Sequence, residues 1–250
     1  MKNITSLLIV LTTGSLMAGT LDPSQKQWIA NYRKQKQKNL PNEKEMLLNT
    51  DKEPCLESGF VSLFNGKDLK GWTPLGGKCK FEVKDGCILG TNVSGTPSTY
   101  LSTDKVDYSD FIFTCDMKWL VKGNSGIMFR SQKKEGKTGK VKVFGPQMEM
   151  EGPDNDRDWS GGIYGQSAGG WYYPLWLEEH KAARAAFKDA EWNRLTIQAE
   201  GKAVKTWING VPIAHWINDE YSKGSFGLQI HAGKAGSILW RAIKVKELTK

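Results

Sequence analysis

The 250-residue chain is 39% hydrophobic and 25% charged, with 27 glycines, 10 tryptophans and a formal net charge of +8. Its apolar share is too high for a disordered chain, its glycines keep no three-residue period, and no apolar run reaches the roughly 18 residues of a membrane-spanning helix. Disordered, collagen-like and multi-span membrane classes are thereby excluded. All-β sandwiches commonly occupy about 200–250 residues as one unit, so a single domain with extensions is expected.

Lys2 is a short positive start, Ile4–Leu11 is mostly apolar, and Leu16-Met17-Ala18 ends in a small residue. That is the pattern of a cleaved secretory signal over residues 1–18, and it implies a periplasmic or secreted location. No cysteine stands at the cleavage position, so a lipid anchor is not indicated. Residues 19–58 read as a helical extension and linker. Asp22-Pro23 starts a helix as N-cap and first helical residue, and Trp28, Ile29 and Tyr32 give it a short apolar stripe. The helix fades through Arg33-Lys34-Gln35-Lys36-Gln37-Lys38 and ends by Pro41. Residues 19–52 carry +3 of the net charge and Lys2 another +1, leaving +4 for residues 53–250. No aromatic residues interleave with the lysine run, so it reads as a solvated helix end, and no nucleic-acid partner is expected.

From Gly59-Phe60 the pattern changes to short alternating segments with turn chemistry between them, the spacing of a sandwich. Strands are expected over 60–64, 80–83, 87–90, 100–101, 111–120, 125–131, 147–151, 163–164, 192–199, 203–208, 211–216, 224–231 and 237–245. Lys84-Asp85-Gly86, Glu200-Gly201-Lys202 and Asn209-Gly210 are the turns, and Asn-Gly between strand-like residues is a strong hairpin signal. A helix over about 177–188 is an insertion, too little for an α/β fold. The fold class is all-β, with two antiparallel sheets. Cys55, Cys79, Cys87 and Cys115 allow three pairings. A disulfide or two fits them better than a metal, since with only His180, His215 and His231 their spacings match no zinc site; buried free thiols are the other reading.

Period two assigns side chains to faces. In 124–130, Ile127 and Phe129 oppose Asn124 and Arg130; in 147–151, Met148 and Met150 oppose Gln147, Glu149 and Glu151; in 228–231, Leu228 and Ile230 oppose Gln229 and His231. If these strands are neighbours, their polar sides line one groove. Antiparallel sheets often solvate one face, but such a face is typically rich in Lys, Glu, Thr and Ser. This one combines Asn, Gln, Arg and His instead.

The stretch Gly59-Phe60-Val61-Ser62-Leu63-Phe64-Asn65-Gly66-Lys67-Asp68-Leu69-Lys70-Gly71-Trp72 closely resembles the opening of the 3-keto-disaccharide hydrolase domain family, also called DUF1080. Blocks at 81–86, 108–111, 123–130, 147–149, 163–165, 191–195, 209–210, 227–231 and 238–245 follow in the family's order. The resemblance spans residues 59–248 and implies a concanavalin A-like jelly roll with a carbohydrate-facing concave sheet. Residues 165–190, with the aromatic run Trp171–Trp176, are longer than the family leads one to expect, which leaves substrate choice open.

The resemblance also implies cleavage of glycosides oxidised to a ketone at sugar C3, by hydrolysis or by elimination followed by hydration. Such chemistry needs a base near C2, a group polarising the C3 oxygen and a donor for the leaving oxygen. His231 is the natural base, Glu149 an orienting group, cation ligand or second base, and Arg130 or a divalent ion the enolate stabiliser. Asn124, Gln147, Gln229, Glu151, Tyr164 and Trp171 complete a substrate-binding set. Glu149 with Glu151 is also the sequence analogue of a direct glycosidase's carboxylate pair. A non-catalytic lectin-like module using the same groove is the alternative. Gly165-Gln166-Ser167-Ala168-Gly169 fits the G-x-S-x-G nucleophile elbow, with His231 and Asp219 as partners, but has meaning only between a strand and a helix. His180 reads as solvated, His215 as structural, and Trp72, Trp119, Trp192 and Trp207 as core.

Overall fold

The computed structural model describes residues 19–136, 141–152 and 156–248, so the signal-peptide reading of residues 1–18 lies outside the described residues. In chain order the strands are β1 (Leu47–Leu48), β2 (Val61–Ser62), β3 (Trp72–Gly76), β4 (Lys80–Lys84), β5 (Cys87–Thr91), β6 (Thr99–Thr103), β7 (Phe111–Val121) and β8 (Ser125–Glu135). They continue as β9 (Val141–Met150), β10 (Ile163–Gln166), β11 (Gly170–Tyr173), β12 (Asn193–Glu200), β13 (Ala203–Ile208), β14 (Val211–Ile217), β15 (Ser225–Ile230) and β16 (Ser237–Glu247). One sheet runs β1-β14-β13-β12-β7-β16-β5-β4, with β2 paired to β16; the other runs β11-β10-β9-β8-β15-β6-β3. Every pairing is antiparallel. The fold is the expected jelly-roll sandwich.

Alternation builds the core between the sheets. Phe111, Phe113, Cys115, Met117 and Trp119 bury one side of β7. From the opposite sheet Phe226 meets Phe111 and Phe113 at centroid separations of 4.7 and 4.6 Å. Asp85-Gly86 and Asn209-Gly210 close their hairpins with both residues at positive φ, the geometry of primed two-residue turns. Strand β3 escapes the sequence reading because Pro74 interrupts it. It is an edge strand, where a missing N–H is tolerated.

Three other expectations are corrected. The helix over 177–188 shrinks to a 3-10 turn at Glu178–His180 and one helical turn, α2 (Lys181–Arg184), preceded by the longer α1 at Lys26–Lys34. His180 is buried rather than solvated, with Nε2 3.1 Å from the Tyr173 hydroxyl, and loss of hydration holds its pKa down at about 3. All four cysteines are free thiols, Cys79, Cys87 and Cys115 buried and Cys55 exposed. No helix among the described residues is long and apolar enough to cross a membrane.

The extension is bound along its whole length to the rest of the chain. Asp22 caps the first turn by accepting from Ser24 N at 2.8 Å and pairs with Arg184. Gln25 Oε1 accepts from Trp159 Nε1 at 2.8 Å, and Tyr32 packs against Trp159 and Trp171. Past α1, Asn39 Nδ2 donates to Ala168 O at 2.6 Å, Leu47–Leu48 pairs with β14, and Asn49 Nδ2 donates to Thr206 O at 3.0 Å. The 165–190 insertion is thus not a free loop. β11 and Trp176 are buried under the extension, so the two departures from the sandwich pack against each other.

Candidate functional site

β8, β9 and β15 are adjacent, with Gly126 opposite both Glu149 and Gln229. Met148, Met150, Leu228 and Ile230 enter the core, and the alternate residues form the floor of a groove on the concave sheet. Glu149 lies there, 5% exposed. Its Oε1 accepts from Asn124 Nδ2 and its Oε2 from Gln147 Nε2 at 2.7 Å. Gln147 Nε2 also donates to Gln229 Oε1 at 3.2 Å, and Gln229 Nε2 reaches the Tyr100 hydroxyl at 3.4 Å. A polar row therefore crosses the sheet from Tyr100 to Asn124. Gly126 makes room for it, since a Cβ there would come within 2.4 Å of the Gln147 side chain. Gln147 Oε1 is buried without a hydrogen-bond partner.

Burial pushes the Glu149 carboxyl up to about 7, against the two amides that favour its charged form. A carboxyl in that range exchanges protons readily near neutrality. His231 is exposed at the end of β15, its backbone N–H donating to Asn124 O at 3.2 Å and its ring Nδ1 2.6 Å from Ala232 O. Asn124, Glu149, Tyr164 and His231 all line the groove, which encloses about 690 Å³, within the roughly 300–1,000 Å³ of small-molecule sites.

Arg130 does not face the groove. A bulge between Met128 and Gln132 breaks the alternation, and Arg130 sits in it at φ 45°. Its guanidinium, 1% exposed, donates to Ser109 O, Gly201 O and Tyr221 O and pairs with Asp110 at 3.2 Å. It ties loops together and does not stabilise an enolate. Glu151 lies beyond the end of β9, accepting from Trp159 N at 2.9 Å and paired with Arg157. Burial and Glu149 push its carboxyl up, opposed by that Trp159 hydrogen bond. It is a structural partner rather than half of a glycosidase pair. Trp171 borders the groove but is 1% exposed and wedged among Tyr32, Trp159 and Tyr164, so its ring offers no open stacking face. Ser167 occupies the tight turn between β10 and β11 at φ 53°, and Asp219 is held by Lys202, so the elbow motif has neither its helix nor its triad.

Sequence reasoning missed Arg157, Gln166 and the extension's Tyr32, Gln35 and Gln37, all of which line the groove. Arg157 places a cation at the groove, where Arg130 was expected. It touches Tyr32 Oη and lies 5.2 Å from the rings of Trp159 and Trp171. Its signal was a lone arginine in an otherwise acidic loop. Among the described residues no three His, Cys, Asp or Glu side chains converge as a metal site. Glu149 accepts from Asn124 and Gln147, and Glu151 is paired with Arg157.

The fold has counterparts in solved structures. A "putative glycosyl hydrolase" from Parabacteroides distasonis is 24% identical over 76% of this chain and 94% of its own, with a TM-score of 0.54. A Bacillus subtilis protein of unknown function with a galectin-like fold is 16% identical over 79% and 97%, also at 0.54. No curated protein matches. The family profile described as the 3-keto-alpha-glucoside-1,2-lyase-like domain matches residues 59–246, and the chain belongs to that family.

Proposed function

We propose that the protein is an exported enzyme that cleaves the glycosidic bond of 3-keto-glycosides, with Glu149 as the base. The observation that carries this reading is a buried carboxyl on the floor of a sugar-sized groove, held between two amides with a pKa near 7. Family membership and the export pattern of residues 1–18 support it.

A ketone at C3 acidifies the hydrogen on C2. Glu149 takes that proton, the electron pair forms the C1–C2 double bond, and the C1–O bond breaks as the leaving oxygen accepts a proton. Water then adds across the double bond, with hydroxyl to C1 and hydrogen to C2. Gln147 positions Glu149 and is itself held by Gln229; Tyr164 and Gln166, on the groove lining, meet hydroxyls, and Arg157 supplies positive potential beside the charge developing on O3. His231, exposed at the groove's rim, is placed to carry the leaving group's proton.

Incubation with a 3-keto-disaccharide should release free sugar. Glu149→Gln, which preserves shape but keeps only one of the two accepting oxygens, should lower kcat by about 10²–10⁴-fold while the sugar still binds. Equal turnover by the variant overturns Glu149 as base. Binding by the parent protein without turnover, across several linkages, would make it a lectin-like module.

A further inference from the structure

Residues 19–58 lie outside the matched region 59–246, yet they build one wall of the groove. From this segment Tyr32, Gln35 and Gln37 line it, and all three are uncharged; the flanking Arg33, Lys34, Lys36 and Lys38 do not. We propose that this wall is a binding subsite for a second, uncharged sugar ring, adjacent to the ring over Glu149, with Gln35 as its principal hydrogen-bonding residue. The proposal rests on the reading of the groove as a glycoside site.

The wall is fixed before any ligand arrives. Gln37 Oε1 accepts from Trp171 N at 3.0 Å, and Gln37 Nε2 donates to Gln35 Oε1 at 3.1 Å. Gly169 and Gly170, at φ 110° and 89°, let the segment lie close. A Cβ on Gly170 would come within 2.3 Å of Gln37 Oε1, and one on Gly169 within 2.5 Å of Asn39 Nδ2. Tyr32 contacts Arg157, which pairs with Glu151, two residues from Glu149, so wall and floor are mechanically joined.

Gln37 is spent on this scaffold, whereas Gln35 is exposed. Its amide contacts only Asn31, at 3.4 Å, and Gln37, which leaves an N–H and an acceptor lone pair unused. A planar amide with one donor and one acceptor matches neighbouring hydroxyls of a sugar. It offers little to an anion and less to an apolar group. Because the wall is preorganised, each bond it makes costs little ordering.

The test compares a 3-keto-disaccharide with methyl 3-keto-glucoside, which lacks the second ring. Gln35→Ala should raise KM for the disaccharide about three- to tenfold relative to KM for the methyl glycoside, with kcat for the disaccharide held. Gly170→Ala, which displaces Gln37 and the segment it anchors, should shift the ratio the same way. A ratio unchanged in Gln35→Ala overturns the subsite and leaves the Glu149 reading standing. If the parent protein turns over neither compound, the Glu149 reading fails. The subsite is then judged by calorimetric Kd for the disaccharide, weakened by Gln35→Ala if correct and unchanged if wrong. Absence of any binding overturns both.

Discussion

Glu149 is a carboxyl caught between lost hydration and two donated hydrogen bonds, and burial wins. Its pKa rises from 4.5 to about 7 on folding. A group raised in this way contributes stability in full below its unfolded pKa and loses it as pH rises through the folded value. Between pH 4.5 and 7 the native state therefore surrenders on the order of 3 kcal/mol at this one position. Glu149→Gln carries no such penalty, so its thermal midpoint relative to the parent should climb between pH 4.5 and pH 8. A gap that does not change with pH would contradict the buried, proton-exchanging carboxyl on which the proposed chemistry depends.

At the scale of elements, the bulge in β8 decides what Arg130 does. Arg130→Met removes the guanidinium from three carbonyls and leaves Asp110 buried without its cation, at a cost of about 3–5 kcal/mol. Because Arg130 is remote from the groove lining, denaturant melts should show the loss while kcat per folded molecule is retained. A collapse of kcat with normal stability would restore Arg130 to the chemistry. The same bulge marks the limit of what was legible in the chain. Strict period two was enough to place Gln147, Glu149 and Gln229 on one face, because β9 and β15 run regularly past Gly126. One extra residue in β8 turned Arg130 away, and no local pattern announces it. β3 was hidden by Pro74, and β11 by an aromatic run that looks like a loop. The extension's Tyr32, Gln35 and Gln37 were unreadable for another reason. Their position depends on Trp171 and Gly170, more than 130 residues away, and helix propensity carries no information about that docking.

For the molecule as a whole, no covalent cross-link holds the two sheets; the core between them does that work. Native protein treated with iodoacetamide should take one rapid adduct, at Cys55, while Cys79, Cys87 and Cys115 react only on unfolding. Dithiothreitol should leave the thermal midpoint unmoved. Two rapid adducts, or a midpoint that falls on reduction, would contradict the free thiols.

The pairing of Leu47–Leu48 with His215 and Ala214 also bears on the order in which the molecule can be assembled. The segment that walls the groove is the first of the described residues to be synthesised, yet its partners, from Trp159 to His215, arrive more than a hundred residues later. Until β14 has formed, β1 has no partner and the edge it covers is bare. Contacts of such sequence separation form slowly. A chain halted before β14 would therefore hold Asn124, Glu149 and Tyr164 of the groove but lack His231 at its rim and the strand that β1 pairs with. The groove is completed late, when the chain following β15 brings His231 to its rim.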